Sequence, residues 1–172
     1  MEVKSVSLKE RWDDDPLEED DEDEDTQEDK FLTFVLNREE FGIEIRYVME
    51  IIGIQNITEV PDVPRYIKGV INLRGKVIPV MDVRLRFELE ERAYDDRTCI
   101  VVICIDEQSV GLIVDRVSEV LDIPKINIEP PPKGRKGENS RFIQGMGKVG
   151  EQVKILLNAN QLLFDFDKGD DQ

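Results

Sequence analysis

The residues that could do chemistry in this chain are few, and their spacings argue against catalysis. Among 172 residues there is no histidine, which removes His–Cys zinc sites, Ser-His-Asp hydrolysis and histidine phosphorylation together. Cys99 and Cys104 lie five apart in an apolar run. On a strand that odd separation turns them to opposite faces, so buried reduced thiols are expected and a mutual disulfide is not. Gly145-Met-Gly-Lys-Val-Gly150 has dinucleotide-fingerprint spacing, but the alternating segment Glu151–Leu157 follows where a helix N-terminus would have to receive a pyrophosphate. Gly69 to Gly75-Lys76 has five intervening residues where a phosphate loop has four, and Val77 stands where Ser or Thr would hold magnesium. Both are read as turns. No catalytic group, metal or cofactor is implied, and binding without turnover is the expected class.

Charge divides the chain. Residues 1–29 hold fifteen acids and three bases, net −12, so the formal −16 leaves −4 for residues 30–172. Asp13 to Asp29 alone carries thirteen acids in seventeen positions. Such a segment repels itself and buries too little to offset chain entropy, so 1–29 is expected as a disordered acidic tail. It is either a solubilising tail or a tuner of partner binding that covers a basic surface. No basic footprint suggests nucleic acid as a partner. No apolar signal core or membrane-length run is present, so a soluble cytoplasmic protein without membrane insertion is expected. Lys133, Arg135 and Lys136 lie in a Pro- and Gly-rich stretch read as a mobile surface loop.

From Phe31 the pattern is that of short strands. Phe31–Leu36 is too short for a helix and uninterrupted enough to be buried on both faces, and a turn at Asn37–Glu40 leads to Phe41–Ile45. Arg46 to Ile52 reads as a helical turn or a bend into the next strand. Pro61 and Pro64 break the chain, and Gly69–Leu73 and Lys76–Met81 then flank Arg74-Gly75 as a hairpin. Pro79 cannot donate to a ladder, which predicts an edge strand or a bulge there. Glu88–Asp96 is a polar link. Asn158 precedes apolar residues at helical spacing, predicting a short terminal helix.

The second half repeats the first. Shifted by 69, Phe31–Ile52 lies over Ile100–Leu121, with Gly42 on Gly111, Val48 on Val117 and Glu50 on Glu119; shifted by 76, Gly69–Val83 falls over Gly145–Ala159. Two similar β-units of about five strands follow, as small barrels or curled sheets, with strands free to cross between them.

Three blocks together resemble the CheW-like family: Phe41-Gly-Ile-Glu-Ile with Val48-Met-Glu-Ile, Ile67-Lys-Gly-Val-Ile-Asn-Leu-Arg-Gly-Lys-Val-Ile-Pro-Val, and Val110-Gly-Leu-Ile-Val-Asp-Arg-Val-Ser-Glu-Val-Leu. The resemblance covers 30–166, leaving 167–172 as a C-terminal tail. It implies a mostly all-β fold of two packed five-stranded SH3-like barrels with a few short helices. It also implies a non-enzymatic adaptor that couples chemoreceptors to the CheA histidine kinase, held at membrane receptor arrays through its partners. The alternative is a coupling protein of another receptor–kinase pathway, such as surface motility.

The resemblance also marks candidate partner-binding residues. Glu50 and Arg74 match a pair that lies close together in the family and bears on partner assembly, with kinase or receptor; a structural ion pair is the other reading. Ile43, Val48, Gly111 and Val117 match positions of a groove between the barrels that takes the cytoplasmic tip of a chemoreceptor. Core packing is the other reading for each of the four.

Overall fold

Phe31 and Leu32 are neighbours in sequence that enter different cores, and this division organises the molecule. The computed structural model describes residues 27–132 and 138–168. The acidic segment up to residue 26 and the loop centre at 133–137 lie outside the described residues, with the expectations made for them.

Among the described residues eleven strands form two sheets. In chain order they are β1 (Lys30–Leu36), β2 (Glu39–Glu44), β3 (Val48–Gly53), β4 (Ile67–Leu73), β5 (Lys76–Asp82), β6 (Cys99–Ile105), β7 (Gln108–Val114), β8 (Arg116–Asp122), β9 (Ile128–Glu129), β10 (Ile143–Val149) and β11 (Gln152–Leu157). Short helices α1 (Val83–Arg86) and α2 (Ala159–Lys168) follow β5 and β11. Asn158 caps α2, its side-chain oxygen accepting from Gln161 N–H at 3.0 Å. The stretch after Ile45 is both things its sequence allowed: a 3-10 turn at Ile45–Tyr47, then β3.

The sheet orders are β8-β1-β2-β11-β10-β9 and β3-β6-β7-β5-β4. Replacing β1 to β5 by β6, β7, β8, β10 and β11, and the reverse, converts one order into the other apart from β9. The repeat is therefore structural, and the 69 and 76 shifts superimpose β1 on β6 and β4 on β10. Neither half folds on its own sheet, however. The first strand pair of each half joins the last strands of the other, through parallel contacts β2–β11 (Phe41 with Ile155) and β5–β7 (Val80 with Gly111).

Each sheet curls because one stretch of chain reaches both of its edges. After β3, Thr58 pairs with Val70 on β4 through two backbone hydrogen bonds of 2.9 Å. In the other sheet, β8 and β9 are the two edges and belong to the single segment 116–129. This is the architecture expected: mostly β, two curled sheets, few short helices.

Burial follows from that arrangement. Leu32, Phe34 and Leu36 from β1 meet Val101 and Ile103 from β6 in a layer shared between the sheets. Phe31 points the other way, inside its own sheet, with Ile123 and Leu156. Ile100 and Val102 do the same beside Ile71, Ile78 and Val80. β1 and β6 are thus apolar on both faces because each walls an interior and also packs against the other sheet. Removing one large side chain from the shared layer, such as Phe34, costs about 3–5 kcal/mol.

Three expectations need correction. Pro79 lies on an internal strand, since β5 sits between β7 and β4. It is tolerated because pairing with β7 begins one residue later, at Val80; the bulge is on the partner strand, between Ile67 and Gly69. Cys99 and Cys104 are free thiols as expected, but each is only partly buried. Glu88–Asp96 is also more than a polar link. Its Tyr94 hydroxyl donates to Asp82 at 2.7 Å and Arg92 pairs with Asp115 at 3.1 Å. Burial and the neighbouring Asp82 carboxylate push the Tyr94 hydroxyl far above its ordinary pKa.

Candidate docking surface

The hairpin that carries Arg74 is fixed by its own turn chemistry. Arg74 (φ 55°) and Gly75 (φ 84°) both occupy the left-handed region, as a two-residue primed turn requires. Asn72 closes the turn, its side-chain oxygen accepting from Gly75 N–H at 2.8 Å. Arg74 therefore stands at a rigid tip with its side chain 72% exposed.

Glu50 lies on β3, at the other edge of the same curled sheet. The curl brings the two together: Arg74 donates from Nη1 to Glu50 Oε2 at 2.5 Å and from Nη2 to Oε1 at 2.7 Å. The fork is bidentate, the geometry that best matches guanidinium to carboxylate. Arg74 holds the Glu50 carboxyl below its ordinary 4.5, and Glu50 raises Arg74 in return. An exposed pair of this kind adds little to stability. What it adds is a fixed charge pattern on an accessible face.

Exposed apolar side chains occupy neighbouring positions on the same strands, Met49 and Ile51 on the side of β3 opposite Glu50. Met49 and Ile51 flank Glu50 on β3 and are 56% and 42% exposed, and Val77 beside the hairpin tip is 66% exposed. Sequence reasoning missed all three. The signal was the alternation along Val48–Gly53, which marks one side of an edge strand as unburied.

The four groove candidates separate. Val48 and Val117 are half-buried against the shared layer, and each begins a bulged pairing with a residue of that layer, Val48 with Ile103 and Val117 with Phe34. They are pseudo-equivalent and both remain partly accessible. Ile43 is fully buried in the shared layer. Gly111 lies at the parallel seam, where a Cβ would come within 2.8 Å of Val80 and 2.7 Å of Ile100.

A family model, the CheW-like domain, matches residues 30–166. The chain belongs to the CheW-like family. It is similar to the Chemotaxis protein CheW of Klebsiella aerogenes, at 37% identity over 134 residues, 78% of this chain and 81% of that protein. The Chemotaxis protein CheW of Bacillus subtilis is 36% identical over 135 residues, 78% and 86% of the two chains. The crystal structure of the scaffolding protein TtCheW from Thermoanaerobacter tengcongensis matches with a TM-score of 0.71 at 37% identity, covering 76% of this chain and 88% of that one. CheW-like proteins are non-enzymatic scaffolds of chemotaxis, and this chain is one of them. Among the described residues there is no cluster of potential metal ligands, and no described helix is long and apolar enough to cross a membrane.

Proposed function

We propose that this chain is the free coupling protein that joins the regulatory domain of a CheA histidine kinase to the cytoplasmic tips of chemoreceptors. The observation that carries this reading is the Glu50–Arg74 fork, which ties the hairpin tip to the β3 edge as one accessible face of the curled sheet, with Met49, Ile51 and Val77 exposed at neighbouring chain positions. That face takes the kinase domain, with apolar side chains supplying contact area and the ion pair fixing register. Val48 and Val117 border the groove that takes an apolar stripe of the receptor's helical tip, while Ile43 and Gly111 shape that groove from beneath. Residues 30–166 are the docking body, working in the cytoplasm beneath receptor arrays; 1–29 and 167–172 lie outside it. Holding two partners at once raises their effective concentration, so weak individual contacts suffice in a lattice.

Binding measured separately with each partner tests the assignment. Arg74→Glu should weaken association with the kinase regulatory domain by at least about tenfold, about 1.4 kcal/mol, with an unchanged melting temperature. Val48→Asp should weaken receptor-tip binding and leave the kinase contact intact. Wild-type affinity in both variants would refute the assignment.

A further inference from the structure

Among the described side chains, Arg38, Lys76, Arg97 and Arg116 are the only basic residues without an ion pair, hydrogen bond or ring contact from their side chains. Three of these four line a single open pocket of about 290 Å³. Arg38 comes from the β1–β2 turn, Arg97 from the end of the link before β6, and Arg116 from the start of β8, where it pairs with Val35 of β1. With Arg92 the pocket has four arginines against two acids, Glu40 and Asp115. Both acids are already engaged: Glu40 takes Lys154 at 2.5 Å, and Asp115 takes Arg84 at 2.7 Å and Arg92 at 3.1 Å. Three guanidinium forks are thus left facing one space in a chain whose formal charge is −16. Such an arrangement favours carboxylates, which a guanidinium fork can pair in bidentate geometry.

We infer that the pocket is an anion site for this chain's own acidic segment, residues 13–25, whose carboxylates pair with Arg38, Arg97 and Arg116. That segment supplies eleven acids in thirteen positions. It also starts within reach. The Asp29 carbonyl accepts from Ile123 N–H at 2.8 Å and Glu28 faces Lys125 at 3.9 Å, so the chain is tied down where β1 begins. The pocket lies near Val35, five residues along β1 from Lys30, a distance of roughly 17 Å. Residues 13–22 are six to fifteen positions upstream of Glu28 and span roughly 20–50 Å when extended, enough to turn back and fill the pocket. The tether gives a local concentration on the order of millimolar, so weak, salt-sensitive pairing is sufficient. The segment is then a tethered competitor for any acidic partner surface that approaches this side of the molecule. Neither Glu50 nor Arg74 is among the residues that line this pocket.

Residue-resolved phenylglyoxal modification of the full chain tests this, with exposed Arg65 as internal reference. The comparison is a full-length variant in which the eleven acids of 13–25 are replaced by their amides. At low salt, Arg38, Arg97 and Arg116 of the wild type should react several-fold more slowly relative to Arg65 than in the variant. The difference should vanish at about 1 M salt, where screening acts within roughly 3 Å. Equal rates in the two chains would overturn the inference. So would protection that grows with protein concentration, because the occupant would then be a second copy's segment.

Discussion

Gly111 and Val80 face each other across the parallel seam with no space for a methyl group: a Cβ on Gly111 would lie 2.8 Å from Val80 Cγ1 and 2.7 Å from Ile100 Cγ2. Gly42 holds the pseudo-equivalent place, 2.9 Å from Leu156 Cδ2 by the same measure. At both sites strands from different halves pair in parallel, and glycine permits the close approach. Gly111→Ala should cost about 1–3 kcal/mol through overpacking. Gly53→Ala, with nothing within 4 Å, should change stability by less than about 0.5 kcal/mol. Urea unfolding midpoints compare the two, and equal stability would contradict the seam.

Thr33 is fully buried and fills a defect in the β1–β8 ladder. Its hydroxyl donates to the Glu119 carbonyl at 2.8 Å and accepts from Glu119 N–H at 3.1 Å, at the bulge between Leu32 and Phe34. Thr33→Val keeps the shape and removes both bonds, leaving two backbone groups unpaired. The expected cost is about 1–3 kcal/mol in thermal or urea unfolding.

Asp115 ties the link between the halves to both sheets. It accepts from Asn37 N–H at 2.8 Å and pairs with Arg84, whose side chain is only 11% exposed. Asp115→Ala strands that guanidinium, at a cost of about 3–5 kcal/mol. Hydrogen exchange should also rise through residues 88–98, because Arg92 loses the same partner. Unchanged exchange there would show that the link is held by other contacts.

The Glu50–Arg74 fork has a defined pH signature. The carboxyl's folded pKa is lowered from 4.5, so its contribution is present above that value and is lost as pH falls through the folded pKa. Arg74→Gln should therefore change the melting temperature by a small, constant amount between about pH 6 and 8, and the difference should fade below about pH 4. A difference that varies across neutral pH would implicate another group.

Much of this architecture is legible in the residues. The gapless shifts placed β6 to β8 and β10 to β11 on their counterparts because each half uses the same lengths and turns. Asn158 marked α2, and Asn-Leu-Arg-Gly marked the hairpin. Strand exchange was not legible, since the apolar faces of β1 and β6 satisfy either partner equally well and pairing is settled by packing in the shared layer. Pro79 misled for a related reason: the parallel seam is short and begins just after it. The Arg38–Arg97–Arg116 cluster was hidden because its members come from three separate turns.

Kinase output in a reconstituted receptor–kinase membrane assembly tests the central claim most directly. Adding this chain should raise receptor-controlled phosphorylation, and Arg74→Glu with an intact melting transition should abolish most of that gain. Output that is the same with wild type, with the variant and with no added chain would contradict the scaffold account.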